Sequence, residues 1–150
     1  MEKNEFQEVL EFAIEKEEEA AAFYQEASQK VERPHMKRVF QSMAKEEQKH
    51  KELLINLNVE NVSDKKIESV PDLKISDYLV DVEYSPDMEY QDVLILAMKR
   101  EKKAFQLYTN IADKTDNPDL KKLFQVLAQE EAKHKLKLET EYDEHVMEGY

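Results

Sequence analysis

A stretch of forty-five residues occurs twice in this chain. Residues 10–54 align with residues 94–138 without a gap, and seventeen of the forty-five positions are identical. Both copies carry the same spacing. In the first, Leu10, Ala13, Glu17, Ala20, Tyr24 and Ala27 recur in steps of three and four; in the second, Leu94, Ala97, Glu101, Ala104, Tyr108 and Ile111 do the same. Steps of three and four are the period of one helix face, the face that packs inward. A second seam follows in each copy: Phe40, Met43, Glu47, His50, Leu54, and then Phe124, Leu127, Glu131, His134, Leu138. Between the two seams stand Glu32-Arg33-Pro34-His35 and Asp116-Asn117-Pro118-Asp119. Proline lacks the N–H that a helix interior needs but suits a helix's first turn. Each copy therefore reads as a helical hairpin.

The expected fold is an all-α four-helix bundle in a single domain, 1–150. It consists of two antiparallel hairpins, about 5–58 and about 85–146, joined by a long crossover over about 59–84. A single Gly and a charged fraction of 37%, rich in Glu and Lys, agree with long helices and not with a sheet. The first helix should run from 5 to about 31 and the second from Pro34 to about Asn58. Ser85-Pro86-Asp87-Met88 predicts the third helix start, with Ser as N-cap and Pro at the first helical position. The fourth should reach about Val146, with Met147–Tyr150 as a frayed tail. In the crossover, Ser63-Asp64 and Val70-Pro71-Asp72 predict turns, and a short helix is expected near Ser76–Val82. Leu73, Ile75, Tyr78, Leu79 and Val82 are expected to pack against the side of the bundle.

Each helix places a carboxylate on its inward seam, Glu17, Glu47, Glu101 and Glu131, and two helices add His50 and His134. Burying an unpaired charge is expensive, so a positive group should lie among them. Four carboxylates carry four negative charges, which two divalent ions cancel. Mixed carboxylate and imidazole ligands suit Fe, Mn or Zn, and not Cu(I) or Ca²⁺. A buried Glu–His network without metal is the other reading of the same residues. Tyr24 and Tyr108, two turns beyond Glu17 and Glu101, either hydrogen-bond the ligand carboxylates or fill the core as plain aromatics. Glu46 and Glu130 match between the copies but lie beside the seam, on a solvated face. His35 and His145 have no repeat partner and belong on the surface.

A formal net charge of −12 argues against nucleic-acid binding, which needs a basic surface. No apolar run approaches a membrane span, and Met1-Glu2-Lys3-Asn4-Glu5 is not a secretory signal. With no Cys there is no disulfide, no iron–sulfur cluster and no thiolate zinc site. A cytoplasmic location is expected, and any metal must be held by oxygen and nitrogen.

The doubled motif, Ala13-x-x-x-Glu17-x-x-Ala20-x-x-x-Tyr24 with Glu47-x-x-His50, then Ala97-x-x-x-Glu101-x-x-Ala104-x-x-x-Tyr108 with Glu131-x-x-His134, resembles the ferritin-like superfamily, and within it the rubrerythrin-type di-iron domains. The resemblance covers nearly the whole chain apart from the crossover. It implies two Fe ions per chain, with Glu47 and Glu131 bridging, Glu17 and His50 on one iron, and Glu101 and His134 on the other. It also implies reaction with hydrogen peroxide or dioxygen, an oxidative-stress or iron-redox role, and a homo-oligomer, with a dimer favoured. Rubrerythrins generally carry an extra Glu one turn after the third-helix ligand, where this chain has Ala104, so the ligand set looks more like the symmetric six-ligand centres of bacterioferritin type. They also carry a Cys-rich rubredoxin module; without one, this chain would need an external electron donor. The alternatives are a ferroxidase and iron-storage protein of ferritin or bacterioferritin type, and a non-catalytic metal-binding bundle.

Overall fold

In a computed structural model, which describes residues 5–147, the described chain is all-α. It has four long helices: α1 (Glu5–Lys30), α2 (Pro34–Asn56), α3 (Tyr90–Lys114) and α4 (Pro118–Tyr142). It divides between Asn61 and Val62 into two compact units, each built on one hairpin.

In the first unit, α1 and α2 are joined by residues 31–33 alone. Val31 N–H still donates to the Ala27 carbonyl at 3.0 Å, and Pro34 then opens α2, so the chain reverses without an orphaned proline position. The seam positions Ala13, Tyr24 and Ala27 are buried, as are Phe40, Met43 and Leu54 on α2. Tyr24 stacks on Phe40 with ring centroids 5.8 Å apart, and Phe23 meets Tyr24 edge-on at 5.3 Å. Aromatic pairs of this kind contribute about 0.5–1.5 kcal/mol beyond their buried area. α2 ends at Asn56, two residues before the expected Asn58. Leu57 adopts the left-handed conformation (φ 45, ψ 51), and Asn58 N–H turns back to the Leu53 carbonyl at 3.1 Å. That closes the helix as a glycine cap would.

The second unit repeats this design. Residues 115–117 join α3 to α4, and the Asn117 side chain caps α4 by accepting from the N–H groups of Asp119 (2.9 Å) and Leu120 (3.2 Å). Tyr108 stacks on Phe124 at 6.2 Å, the counterpart of Tyr24 on Phe40. α3 opens at Tyr90, not at Ser85. Ser85 instead closes an isolated turn, its carbonyl accepting from Met88 N–H at 3.1 Å and its Oγ from Asp87 N–H at 3.3 Å. The capping residues do their local work, but an extended Glu89 (φ −72, ψ 160) separates them from the helix. α4 ends at Tyr142 and passes into one π-helical turn, Asp143–Met147, so the expected end near Val146 falls within that turn; residues 148–150 of the expected tail lie outside the described residues.

The crossover residues from Val62 onward belong to the second unit. Where a short helix was expected near Ser76–Val82, a 3₁₀ turn covers Ile75–Tyr78. The apolar docking expected of this segment is not what holds it. Leu73 is 47% and Tyr78 86% exposed, and only Ile75, Leu79 and Val82 are partly covered. Polar side chains of the helices hold the strap instead. Gln129 accepts from Glu68 N–H and donates to the Lys66 carbonyl at 3.2 Å. Lys135 reaches Asp72 at 2.7 Å, Glu139 accepts from Ile75 N–H at 2.9 Å, and Lys99 donates to the Leu79 carbonyl at 2.7 Å.

Candidate metal centre

In the first hairpin, α1 supplies Glu17 and α2 supplies Glu47 and His50, one helical turn apart on the same face. His50 Nδ1 lies 3.1 Å from Glu47 Oε1 and 3.5 Å from Glu17 Oε2. The three side chains are buried, Glu17 and Glu47 at 2% and 1% exposure. The second hairpin builds the same triad: His134 Nδ1 lies 3.6 Å from Glu101 Oε2 and 3.7 Å from Glu131 Oε1, all three again buried. All six residues singled out from the seams thus stand in two equivalent groups. Within each group, every residue offers a ligand atom within 4.8 Å of the others.

These separations fit a metal. Two ligand atoms each about 2.1 Å from one ion lie about 3.0–3.4 Å apart at right or tetrahedral angles, close to the spacings in the first triad. The charges fit as well. Each triad has two carboxylates and one imidazole, so a divalent ion balances it, whereas a proton on the histidine leaves one negative charge uncompensated in the interior. Burial, the largest single influence on His50, opposes its protonation. Hydrogen bonds and charge from Glu17 and Glu47 outweigh it and push His50 up to about 10. A pair of carboxylates that holds a proton so firmly also attracts a divalent cation, which would displace it.

The residues beside the triads fall where their spacing put them. Glu46 and Glu130 are half-buried next to the ligand seam, and His35 is exposed. His145 is exposed at the end of α4, with Nε2 3.3 Å from Glu141 Oε2. Tyr24 and Tyr108 are buried in the aromatic stacks described above. Sequence reasoning missed the buried polar set of α4, Gln129, Lys135, Glu139 and Glu141. One signal was present: position 139 carries Glu where the first copy carries Ile55. No described helix is long and apolar enough to cross a membrane.

The family model described as Rubrerythrin matches residues 8–142. A solved structure of a hypothetical protein from Pyrococcus furiosus superposes with a TM-score of 0.70 at 26% identity, covering 91% of this chain and 87% of that one. No curated protein matches the chain. With its two hairpins, its repeated Glu–Glu–His triads and a family match over almost its full length, the chain belongs to the rubrerythrin family of ferritin-like di-iron carboxylate proteins.

Proposed function

We propose that the two triads together hold a pair of iron ions and that the protein reduces hydrogen peroxide or dioxygen. The observation that carries this reading is the buried Glu–Glu–His triad built identically in each hairpin. Glu17, His50, Glu101 and His134 would each serve one ion, and Glu47 and Glu131 would be shared. Bound iron would supply the one-electron steps that carbon-based side chains cannot. The chain's own residues have three tasks. Their burial excludes bulk water, their carboxylates neutralise the ions, and their small number leaves coordination positions open to an oxidant. Ala13 and Ala97, one turn before Glu17 and Glu101, are fully buried and small, which suits an oxidant of two heavy atoms better than a bulky organic substrate. Electrons for repeated turnover would come from an external donor, since the chain has no Cys to ligate a rubredoxin-type iron centre.

A second reading, ferroxidase and iron storage, is favoured by one feature: Ala104 occupies the position of the family's extra Glu and leaves a symmetric six-ligand set. Anaerobic Fe²⁺ titration with elemental analysis tests both readings at their root. Two ions per chain are expected at saturation, with a melting temperature that rises with free Fe²⁺. One ion or fewer at saturation would refute the paired site, and continued uptake beyond two under dioxygen would favour storage. A sizing column separates the expected dimer from a cage.

A further inference from the structure

The second unit contains a cavity of about 440 Å³ between the crossover and the outward faces of α3 and α4, lined by residues from Ile67 to Glu139. We propose that it binds a small organic cation, an ammonium group on an apolar stem. Its volume lies within the range of small-molecule sites, about 300–1,000 Å³. Three alanines, Ala112, Ala128 and Ala132, make the room on the helix side, and Phe105, 38% exposed, offers a ring at the wall.

Charge decides the ligand class. Five carboxylates line the cavity, Glu68, Asp72, Asp77, Asp113 and Glu139, against two lysines. Both lysines are already committed: Lys102 to Asp77 at 2.6 Å, and Lys135 to Asp72 at 2.7 Å and Glu139 Oε2 at 3.1 Å. An anionic ligand would have to break these pairs, whereas a cation meets an excess of three negative charges. Glu139 makes the demand specific. It is fully buried, and its Oε1 has no hydrogen-bond partner among the described residues. A buried acceptor left unmade costs about 1–3 kcal/mol, more when charged, and a cation held in the cavity offsets part of that cost through its field. A bare metal ion would satisfy the acids but not the apolar wall of Phe105, Val70 and Pro71; an organic ammonium satisfies both, with Phe105 placed for a cation–π contact.

The internal repeat provides a control. The six seam residues of the triads are identical in the two copies, but three residues of this cavity are not: Phe105, Ala132 and Glu139 stand where the first copy has Ala21, Gln48 and Ile55. These three residues are therefore specific to the second copy, and the cavity does not rest on the metal reading.

Isothermal titration calorimetry of the full chain tests it, with benzylammonium and spermidine as probes and benzyl alcohol and benzoate as neutral and anionic controls. At least one ammonium should bind saturably, and which one identifies the stem; the controls should not. Ala132→Gln, which restores the residue of the first copy, fills the cavity and should weaken binding by about tenfold or more. Glu139→Gln should weaken it similarly, and Asp113→Asn, on an exposed residue, less so. Circular dichroism melting confirms that each variant folds; if Glu139→Gln does not, Ala132→Gln decides. Absence of saturable binding by both ammoniums, equal binding by benzyl alcohol, or unchanged affinity in Ala132→Gln would overturn the proposal.

Discussion

Glu139 and Ile55 occupy equivalent positions in the two repeats, and the usual rule is inverted between them: the carboxylate is fully buried while the isoleucine is 54% exposed. The crossover accounts for the carboxylate. Its strap needs a partner for the Ile75 N–H, and a glutamate on α4 provides one at 2.9 Å while also holding Lys135 at 3.1 Å. An isoleucine could do neither, and the part-buried N–H of the strap would lose its partner.

Removing one member of this set should therefore cost more than removing two. Glu139→Ala leaves the buried Lys135 with Asp72 alone and frees the Ile75 N–H. A loss of about 3 kcal/mol is expected, at the low end of the range for breaking a buried pair because Asp72 remains. Lys135→Met combined with Glu139→Ile replaces the pair with apolar groups of similar volume and should be milder than Glu139→Ala. Urea unfolding of the native protein and the two variants checks the order. A double variant less stable than Glu139→Ala would mean that the pair itself, and not the burial of its remnant, supplies the stability.

The strap should also have an acid limit. The Lys135 ammonium beside Asp72 holds that carboxyl below its ordinary 3.8. A depressed folded value gives a contribution that is complete above 3.8 and is lost as pH falls through the lower, folded value. Burial is the largest influence on Lys135 and pulls it down, but hydrogen bonds to Asp72 and Glu139 more than offset it and raise it above 10.5. That contribution is present below 10.5 and lost only as pH rises through the raised value. The Ile75 amide resonance should hold its position from about pH 7 down to about pH 4 and move below that. In Asp72→Asn the step tied to this pair should be absent.

The seam register makes a third claim. Glu47 and Glu131 are 1% exposed and lie on the ligand face, while Glu46 and Glu130, one residue earlier, are only half-buried. On the proposed site, Glu47→Ala and Glu131→Ala should each reduce bound iron from the two ions per chain expected to one or fewer, since each would remove a carboxylate assigned to both ions. Glu46→Ala and Glu130→Ala should keep two. Elemental analysis after anaerobic loading decides it, and the reverse pattern would place the ligand face one residue away.

The helices and both triads were legible in the sequence because they rest on period and identity. Steps of three and four fixed which face turns inward, and the gapless repeat fixed which acids correspond. Two prolines marked α2 and α4 to the residue. The crossover was not legible for a physical reason. Its apolar residues Leu73 and Tyr78 looked like anchors, yet the strap is held by backbone N–H and C=O groups paired with Gln129, Glu139 and Lys99, whose partners lie twenty to sixty-four residues away. Apart from Glu139 in place of the first copy's Ile55, side-chain pattern carries no record of such contacts. Ser85 misled in a different way, since a cap and a turn use the same residues, and only the extended Glu89 tells them apart.

Ala104 bears on the choice of oxidant. It lies one turn after Glu101 on the inner seam of α3 and is only partly buried, so a longer side chain can be accommodated there without overpacking a closed core. The resemblance to rubrerythrins puts a Glu at this place, and their usual preference is for peroxide. A carboxylate there would add a fifth acid to a set whose four would balance two divalent ions, and so would favour the oxidised, more positive state of the proposed pair. A carboxyl group one turn from Glu101 would also supply a proton, which helps peroxide, whose O–O bond must break, more than it helps dioxygen in its first step. The native diferrous protein is expected to be oxidised by both, with peroxide faster. Ala104→Glu should raise the ratio of the peroxide rate to the dioxygen rate by about tenfold, or ~1.4 kcal/mol in relative barrier. Stopped-flow absorbance at matched oxidant concentrations measures both rates. A ratio unchanged in Ala104→Glu, with two irons still bound, would show that the residue at this position does not set the choice of oxidant.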